Sequence, residues 1–234
     1  MLTLNILHLI KNKIISIKYI IQPINNYYSN NYLYNNLNKN IIELLDLLNS
    51  LSIAYLYIHK YTSLKQKILL STNDTQYMGI LKSIAILTSN FYIYNTFYSG
   101  IFSNWILLKK KLIIYKWLRY FFLINLVIKN NYKNIFYIHH TLYFLYLKLK
   151  LKYHGLKNLN SFPNTLIFIN LDKNKYLEEA LKVNKNIIII SNNNLSNNFL
   201  SPNIIKIITT TKNFVVLHFI LKILTTAIFH GLLY

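Results

Sequence analysis

The 234-residue sequence carries 26 lysines and arginines against 6 aspartates and glutamates, and its net charge of +20 indicates a polyanionic partner, either nucleic acid or an anionic membrane surface. Cysteine is absent, which excludes a disulfide framework and any thiolate metal site. Carboxylate side chains are few, and no two of them from different motifs form an evident pair. We therefore expect no acid–base catalysis, no metal and no cofactor.

The composition also indicates a strong codon bias. Lys, Asn, Ile, Tyr, Leu and Phe dominate, whereas Gly, Ala, Pro and Arg are scarce, and Arg119 is the sole arginine. The common residues are those with A+T-rich codons, which indicates an extremely A+T-rich genome of the kind found in reduced organelles. A run of lysines or tyrosines is therefore a weaker sign of a binding site here than in an average protein.

Residues 1–40 are predicted to form an N-terminal extension that is mostly loop. Met1–Ile10 is apolar, but its first cations follow the apolar run and no cleavage site is present, so we expect neither a secretory signal nor a transit peptide. Gln22–Asn40 is rich in asparagine and tyrosine, which is typical of a loop with at most a short strand at Tyr32–Tyr34.

The segments that follow alternate between helix and strand. Asn40–His59 has apolar residues at helical spacing, Lys67–Thr72 and Phe91–Tyr94 are buried-strand candidates, and Asp74–Thr88 is a helix between them. Later strands are predicted at Thr165–Asn170, Ile187–Ser191 and Ile204–Ile208, and later helices at Lys175–Val183 and Asn213–Phe229. This pattern predicts an α/β fold in which helices cover both faces of a doubly wound parallel sheet.

Ile106–Lys152 predicts an antiparallel helical hairpin. Apolar residues recur at spacings of three and four on both sides of a polar break at residues 129–134. The predicted contact positions are Ile114, Trp117, Phe121, Ile124 and Ile128 in the first helix, and Ile135, Ile138, Leu142, Leu145 and Leu149 in the second. A helix of about 22 residues extends about 33 Å, so we expect the hairpin to project from the α/β domain.

The alternative for this segment is a pair of membrane-spanning helices. A spanning helix needs about 20 apolar residues with few charges. Lys116 and Arg119 interrupt the first apolar run, and His139 and His140 interrupt the second. We therefore prefer the hairpin to a membrane span.

Phe91–Trp105 has the pattern of a strand followed by a tight turn and a helix start. Ser99 and Gly100 form a turn signal, and Gly100 is expected where the backbone needs the freedom of glycine. Ser103 and Asn104 are suited to capping the next helix. By spacing alone, the segment is a loop at the carboxyl end of a strand in an α/β domain.

The residues of this loop resemble the signature of the ribosomal protein S2 family, which has a segment of the type Tyr-Val-Asn-His-Arg-Trp-x-Gly-Gly-x-Leu-Thr-Asn-Trp. The matching positions are Tyr92, Asn95, Gly100, Ser103, Asn104 and Trp105. Thr96 and Phe97 depart from the usual His or Asn and Arg, and Ser99 replaces the first glycine of the pair.

Further segments resemble the same family in the same order. His154–Leu159 followed by Phe162–Asn164 resembles Gly-Gly-Ile-x-x-Met-x-x-x-Pro-Asp, with Gly155 and Pro163 at the family positions. Glu178–Ala180 resembles Lys-Glu-Ala, and Asn192–Asn194 stands where the family has Asp-Thr-Asn. The family segments Gly-x-His-x-Gly-His and Pro-Gly-Asn-Asp-Asp are absent.

The resemblance implies a flavodoxin-like sheet at residues 41–105 and 163–234, with the hairpin inserted at residues 106–162. It also implies a non-enzymatic, structural protein of an organellar small ribosomal subunit. The expected partners are small-subunit rRNA and neighbouring small-subunit proteins, with no membrane and no small-molecule substrate. An apicoplast-like plastid is favoured, and a mitochondrion is the alternative.

The expected RNA-binding residues combine the loop with nearby lysines. The loop contributes Asn95, Tyr98, Ser103, Asn104 and Trp105, by resemblance to the family. Lys109, Lys110 and Lys111 lie at the root of the hairpin, and Lys148, Lys150, Lys152 and Lys157 lie at its return. Both groups are expected to converge near the loop as one basic patch that binds phosphates.

Two other functional classes remain open at the level of sequence. A small-molecule enzyme on the same sheet would bind its ligand at the strand ends, but the chain has neither a glycine-rich phosphate loop nor a convergent Ser/His/Asp set. A small polytopic membrane protein would use the hairpin at Ile106–Lys152 as its pair of spanning helices. Alkaline extraction of membranes distinguishes such a protein from a ribosomal protein.

Overall fold

A computed structural model of the chain describes residues 33–94, 100–127, 136–170, 174–191, 202–209 and 214–233, without the side chains of residues 33–45, 125–127, 136–139 and 174–175. This part of the chain contains five strands and six α-helices. The strands are β1 (Ile68–Thr72), β2 (Phe91–Tyr94), β3 (Thr165–Ile169), β4 (Asn186–Ser191) and β5 (Ile204–Ile208). The helices are α1 (Leu33–Ser63), α2 (Met78–Leu87), α3 (Trp105–Val127), α4 (Phe136–Tyr153), α5 (Asn174–Lys182) and α6 (Phe214–Leu233).

The strands form one parallel sheet in the order β2-β1-β3-β4-β5. Leu69 lies opposite Phe91 in the β1–β2 pair, and Ile187 lies opposite Ile204 in the β4–β5 pair. This is the strand order of flavodoxin-like folds, in which the connections wind in both directions from the first strand. The prediction of a doubly wound, flavodoxin-like α/β fold is confirmed.

Burial explains why these segments form strands. Every residue of β1 and β3 is buried, as is every residue of β4 except its two ends. A parallel strand covered on both faces needs a continuous apolar run, which β3 and β4 provide. The predicted bounds of β2 and β5 agree with the structure, and those of the other strands differ by one residue at one end.

The chain divides into two compact units. The first unit contains α1, β4, β5 and α6, and the second contains β1, β2 and the helices from α2 to α5. In the first unit, α1 packs along α6, with Leu51, Ala54 and Ile58 of α1 fully buried. Gly231 of α6 lies so close to Thr62 of α1 that a β-carbon there would meet the threonine side chain.

Helix α1 begins earlier than predicted. The sequence predicts a helix from Asn40 preceded by a loop with a short strand at Tyr32–Tyr34, but the structure is helical from Leu33. The loop and strand predictions are therefore wrong for residues 33–39. Leu33, Leu37 and Ile41 recur every four residues without glycine or proline between them, so the helical pattern extends upstream of the predicted start. Residues 1–32 lie outside the described part.

Helices α3 and α4 pack against each other in the second unit, which confirms the helical hairpin. The rings of Tyr115 and Tyr146 stack with centroids 6.0 Å apart, and Phe122 contacts Tyr143 with centroids 5.4 Å apart. Later positions of α3 therefore meet earlier positions of α4, as an antiparallel pair requires. The predicted polar break at residues 129–134 lies outside the described residues.

The predicted contact positions Ile114, Trp117 and Ile124 of the first helix are wrong. Ile128, Ile135 and the side chain of Ile138 lie outside the described residues. The buried side of α3 is formed by Leu108, Leu112, Tyr115 and Leu118. Ile114, Trp117 and Ile124, which were predicted to face the partner helix, are 46%, 56% and 36% exposed, and Leu145 of α4 is 41% exposed. Apolar residues surround α3 on nearly every side, so spacing alone could not select the buried stripe.

By length and composition, one helix of the described chain, α6, could cross a membrane. Half of its most apolar window is buried within the protein, and Val216, Leu217 and Ile220 belong to the core. The buried half lies in the core of the first unit, where α6 packs against α1. Neither α3 nor α4, where the membrane alternative placed its spans, meets the same test in its described residues.

Candidate RNA-binding site

The loop before α3 is held by one carboxylate, that of Glu179 on α5. Its Oε1 atom accepts hydrogen bonds from the backbone N–H groups of Phe102 and Ser103, each at 2.8 Å, and from Ser103 Oγ at 3.0 Å. Its Oε2 atom accepts a hydrogen bond from the backbone N–H of Gly100 at 3.0 Å. Charge-assisted hydrogen bonds are about twice as strong as neutral ones, so Glu179 anchors residues 100–103.

Gly100 and Asn104 set the path of the same loop. Gly100 has a φ of +90°, a left-handed conformation that residues with a β-carbon rarely adopt, which confirms the expectation for this glycine. Asn104 Oδ1 accepts a hydrogen bond from the backbone N–H of Leu107 at 3.2 Å and so caps α3, as predicted. Ser103 does not cap the helix, because its hydroxyl donates to Glu179.

Two of the family-like segments meet in an aromatic cluster. The ring of Phe162 contacts Phe102 and Trp105 edge to face, with centroids 5.6 and 6.1 Å apart. Lys185 Nζ lies 5.5 Å from the Phe162 ring centroid and donates a hydrogen bond to Asn164 Oδ1 at 3.0 Å. Burial lowers the pKa of the Lys185 ammonium below its ordinary value. These contacts connect the segment at residues 162–164 to the start of α3 and to Lys185 after α5.

The turn after α4 packs directly on β2. His154 Nδ1 and the Tyr92 hydroxyl are hydrogen-bonded at 2.7 Å, and burial, with smaller contributions from Tyr94 and Tyr115, raises the pKa of Tyr92 to about 12. Gly155 lies against the Tyr92 backbone, so that a β-carbon would overlap the Tyr92 carbonyl oxygen and lie 2.8 Å from its ring. The close approach of these two segments therefore requires glycine at position 155.

The predicted site residues fall into three groups in the structure. Asn95 and Tyr98 lie outside the described residues. Ser103, Asn104 and Trp105 shape the loop through the contacts given above. The remaining residues are lysines that are exposed or half-buried, namely Lys109, Lys110 and Lys111 on α3, Lys148, Lys150 and Lys152 on α4, and Lys157 after it.

The register of the hairpin brings the lysines of α3 and α4 to the same level. The stacked pair Tyr115–Tyr146 fixes the alignment of the two antiparallel helices. Each residue of a helix adds about 1.5 Å along its axis. The position five residues before Tyr115 and the position five residues after Tyr146 therefore lie at the same level of the hairpin. The lysines at 109–111 therefore lie at the same end as Lys150 and Lys152, which gives the hairpin one basic end.

Two cations outside the predicted set, Lys82 on α2 and Arg119 on α3, act electrostatically on His154 in the turn after α4. Burial lowers the pKa of His154, and the charges of four cations lower it further, in decreasing order Lys157, Lys82, Lys150 and Arg119. Arg119 carried a signal in the sequence, since it is the sole arginine of a chain that otherwise uses lysine. No feature of the sequence singled out Lys82, because only the packing of α2 on β2 brings it near His154.

The depressed pKa of His154 predicts a pH-dependent stability. The neutral ring is favoured in the folded protein, so its contribution is fully present above the ordinary pKa of 6.5 and is lost as pH falls through the lower folded-state pKa. On acidification from about pH 7.5 to about pH 5, we expect the free energy of unfolding to fall more for the wild type than for His154→Gln. Urea unfolding at each pH measures both, and superimposable pH profiles would contradict the prediction.

Comparison with known proteins identifies the family. Residues 23–231 match the family model of ribosomal protein S2. The chain is 34% identical over 207 residues to the small ribosomal subunit protein uS2c of Toxoplasma gondii, a match that covers 87% of each chain. The chain therefore belongs to the ribosomal protein S2 family and is a structural, non-enzymatic component of the small ribosomal subunit.

Proposed function

We propose that the chain is the S2 protein of a plastid ribosome and that it binds small-subunit rRNA through the basic end of the hairpin. This surface comprises Lys109, Lys110, Lys111, Lys148, Lys150, Lys152 and Lys157. The observation that carries the proposal is the antiparallel register of α3 and α4, which gathers lysines from two helices at one end. The sequences of both helices contain no aspartate or glutamate, so their field is uniformly positive.

Folded RNA is the partner that suits such a surface. Lysines neutralise phosphates without reading sequence, and double-stranded RNA is recognised mainly through its shape and backbone. The number of lysines is a weak argument in an A+T-rich sequence, because the codon bias supplies lysine everywhere. Their placement is a stronger argument, since codon bias does not align lysines from two helices at the same level of a hairpin.

Two observations support a plastid as the site of this ribosome. The Toxoplasma relative is a plastid-type uS2c, and it aligns with the chain over 87% of both lengths. The A+T-rich composition is typical of a reduced organellar genome. A mitochondrial ribosome is the competing location, and organelle fractionation distinguishes the two.

Sedimentation of gently lysed, separated organelles through sucrose gradients tests the proposal. We expect mass spectrometry to find the chain in the plastid fraction, co-migrating with small-subunit rRNA, and to lose it from the particle after a high-salt wash. The same pattern in the mitochondrial fraction would overturn the plastid assignment alone. Recovery at the top of the gradient, or retention in the membrane pellet after alkaline extraction, would overturn RNA binding as well.

Neighbouring small-subunit proteins are the other partners we propose. Large apolar side chains on the outer side of α3 support a protein contact, namely Ile106, Ile113, Trp117 and Tyr120, which are 70%, 56%, 56% and 67% exposed. Contiguous apolar surface of this kind is typical of interaction sites. Cross-linking of intact subunits should connect Lys116 to another ribosomal protein, and cross-links from Lys116 confined to RNA would contradict this.

A further inference from the structure

Strand β5, in the first unit, forms one edge of the sheet. In the order β2-β1-β3-β4-β5, β4 pairs with one side of β5, and no strand in the described part of the chain pairs with the other side. An unpaired strand edge presents a row of N–H and C=O groups that can pair with a strand of another molecule. The β5 edge is therefore a surface at which a second chain can add a strand.

The hydrogen bonds to β4 show which residues of β5 face this edge. The N–H of Ile187 donates to the Asn203 carbonyl oxygen at 2.8 Å, and the N–H of Thr209 donates to the Ser191 carbonyl oxygen at 2.9 Å. Backbone groups alternate in direction along a strand, so the odd-numbered residues from 203 to 209 direct theirs toward β4. The N–H and C=O groups of the even-numbered residues, 204 to 208, therefore point away from β4.

Lys206 is the only charged residue in the five described strands. It is the middle residue of β5, with two isoleucines on each side. Its side chain is half-buried, and Ile208, on the same face of the strand, is 47% exposed. Codon bias does not explain this position, because it supplies lysine to the whole chain and yet the other four strands contain none.

A lysine at the middle of β5 opposes pairing between two copies of this strand. When two copies align over the full length of β5, in either direction, the central residue of one lies beside the central residue of the other. Lys206 would then lie opposite Lys206 of the second copy, with Cβ atoms about 4.5–5.5 Å apart in an antiparallel pair. Like charges in directly opposite positions destabilise paired strands.

Without this charge, the segment has the composition of an aggregating strand. Residues 204–209 consist of isoleucine and threonine apart from Lys206, and both residue types favour extended structure. Short segments with high β-propensity, low charge and no proline pair readily between molecules. We propose that Lys206 keeps the free chain from associating with a second copy through the edge of β5. The inference does not depend on RNA binding, because it concerns the chain before it joins a subunit.

Self-association of the purified full-length protein tests this role. Lys206→Val removes the charge and adds a β-branched side chain, so its dissociation constant for self-association should be at least about tenfold lower than that of the wild type. Lys206→Glu keeps a charge at the centre of β5 and should associate no more than the wild type. Sedimentation velocity over a series of protein concentrations, at about 0.15 M salt, compares these proteins.

Lys222→Val is the matched control. Lys222 is exposed on α6 of the same unit, so this substitution makes the same change in net charge and in side chain away from the β5 edge. It should associate no more than the wild type. A Lys206→Val protein that stays as monomeric as the wild type would overturn the proposal, as would equal association of Lys222→Val or of Lys206→Glu.

Hydrogen exchange identifies the surface through which Lys206→Val associates. The amides of residues 204, 206 and 208 point away from β4, so they should become protected on association, whereas those of residues 205 and 207 already donate to β4 in the monomer. Association that leaves the even-numbered amides unprotected would place the contact elsewhere on the protein and would overturn the role of the β5 edge.

A mixture of the wild type and Lys206→Glu gives a test that does not require the valine variant to fold. Paired β5 strands in this mixture bring lysine opposite glutamate, and opposite charges stabilise a cross-strand pair. The mixture should therefore associate more tightly than either protein alone. Equal association of the mixture and of the separate proteins would contradict the role of the charge. Thermal unfolding of each variant checks that the substitutions leave the fold intact.

Discussion

Gly155→Ala is expected to lower the free energy of unfolding by about 3 kcal/mol, at the upper end of the range for overpacked sites. The added β-carbon would overlap the Tyr92 carbonyl oxygen and approach within 2.8 Å of the Tyr92 ring. Neither group can move freely. The carbonyl belongs to the backbone of β2, and the Tyr92 ring is buried, with its hydroxyl hydrogen-bonded to His154. Urea unfolding of wild type and variant measures the loss.

Gly79→Ala is the matched control for this substitution. A β-carbon at Gly79, in the first turn of α2, would meet nothing within 4 Å. We expect this variant to be more stable than the wild type by up to about 1 kcal/mol, because alanine favours the helix and restricts the unfolded chain. Equal effects at both glycines would show that the contact with Tyr92 does not determine the cost at position 155.

Glu179→Ala is expected to cost about 2–3 kcal/mol, the second largest effect. The carboxylate accepts hydrogen bonds from three backbone N–H groups and one hydroxyl of the loop at residues 100–103, and alanine leaves all of them without this acceptor. Hydrogen exchange at the amides of Gly100, Phe102 and Ser103 should accelerate, and urea unfolding should report the lost stability. Unchanged exchange at these amides would contradict the anchoring role.

Two substitutions serve as controls for the role of Glu179. Glu178→Ala removes the neighbouring carboxylate, which is exposed, and should change stability by less than about 0.5 kcal/mol. Glu179→Gln should cost less than Glu179→Ala, because a carbonyl oxygen at the Oε1 position keeps the bonds from Phe102 and Ser103. Only the N–H of Gly100 would then lose its acceptor, because it would face the NH₂ group of the glutamine side chain.

The contacts of Glu179 could not be predicted from the sequence. Glu178–Ala180 was recognised as a family-like segment, but nothing in its spacing predicted that Glu179 reaches the loop 76–79 residues earlier in the chain. Hydrogen bonds over such distances depend on how the elements of the second unit pack together. A local pattern predicts the helix that carries a side chain, and the tertiary structure selects the side chain's partner.

The set of cations that act on His154 was predictable only in part, for the same reason. Lys150 and Lys157 were predicted because they lie at the carboxyl end of α4 and just beyond it, where the sequence itself places them beside the hairpin root. Lys82 and Arg119 enter through packing, since α2 contacts β2 and α3 aligns with α4 through the stacked Tyr115–Tyr146 pair. The inference that lysines from both arms of the hairpin share one end depended on an antiparallel register, which the ring contacts provide.

The sequence by itself determined the parallel α/β fold, its strand positions, the turn at Gly100, the cap at Asn104 and the S2 family. These features depend on local preferences and on continuous apolar runs, which a short window of residues expresses fully. The tertiary structure decided which stripe of α3 is buried and which residues contact Glu179 and His154. A helix that is apolar on nearly every side, such as α3, has several possible faces, and only the shape of its neighbours selects one of them.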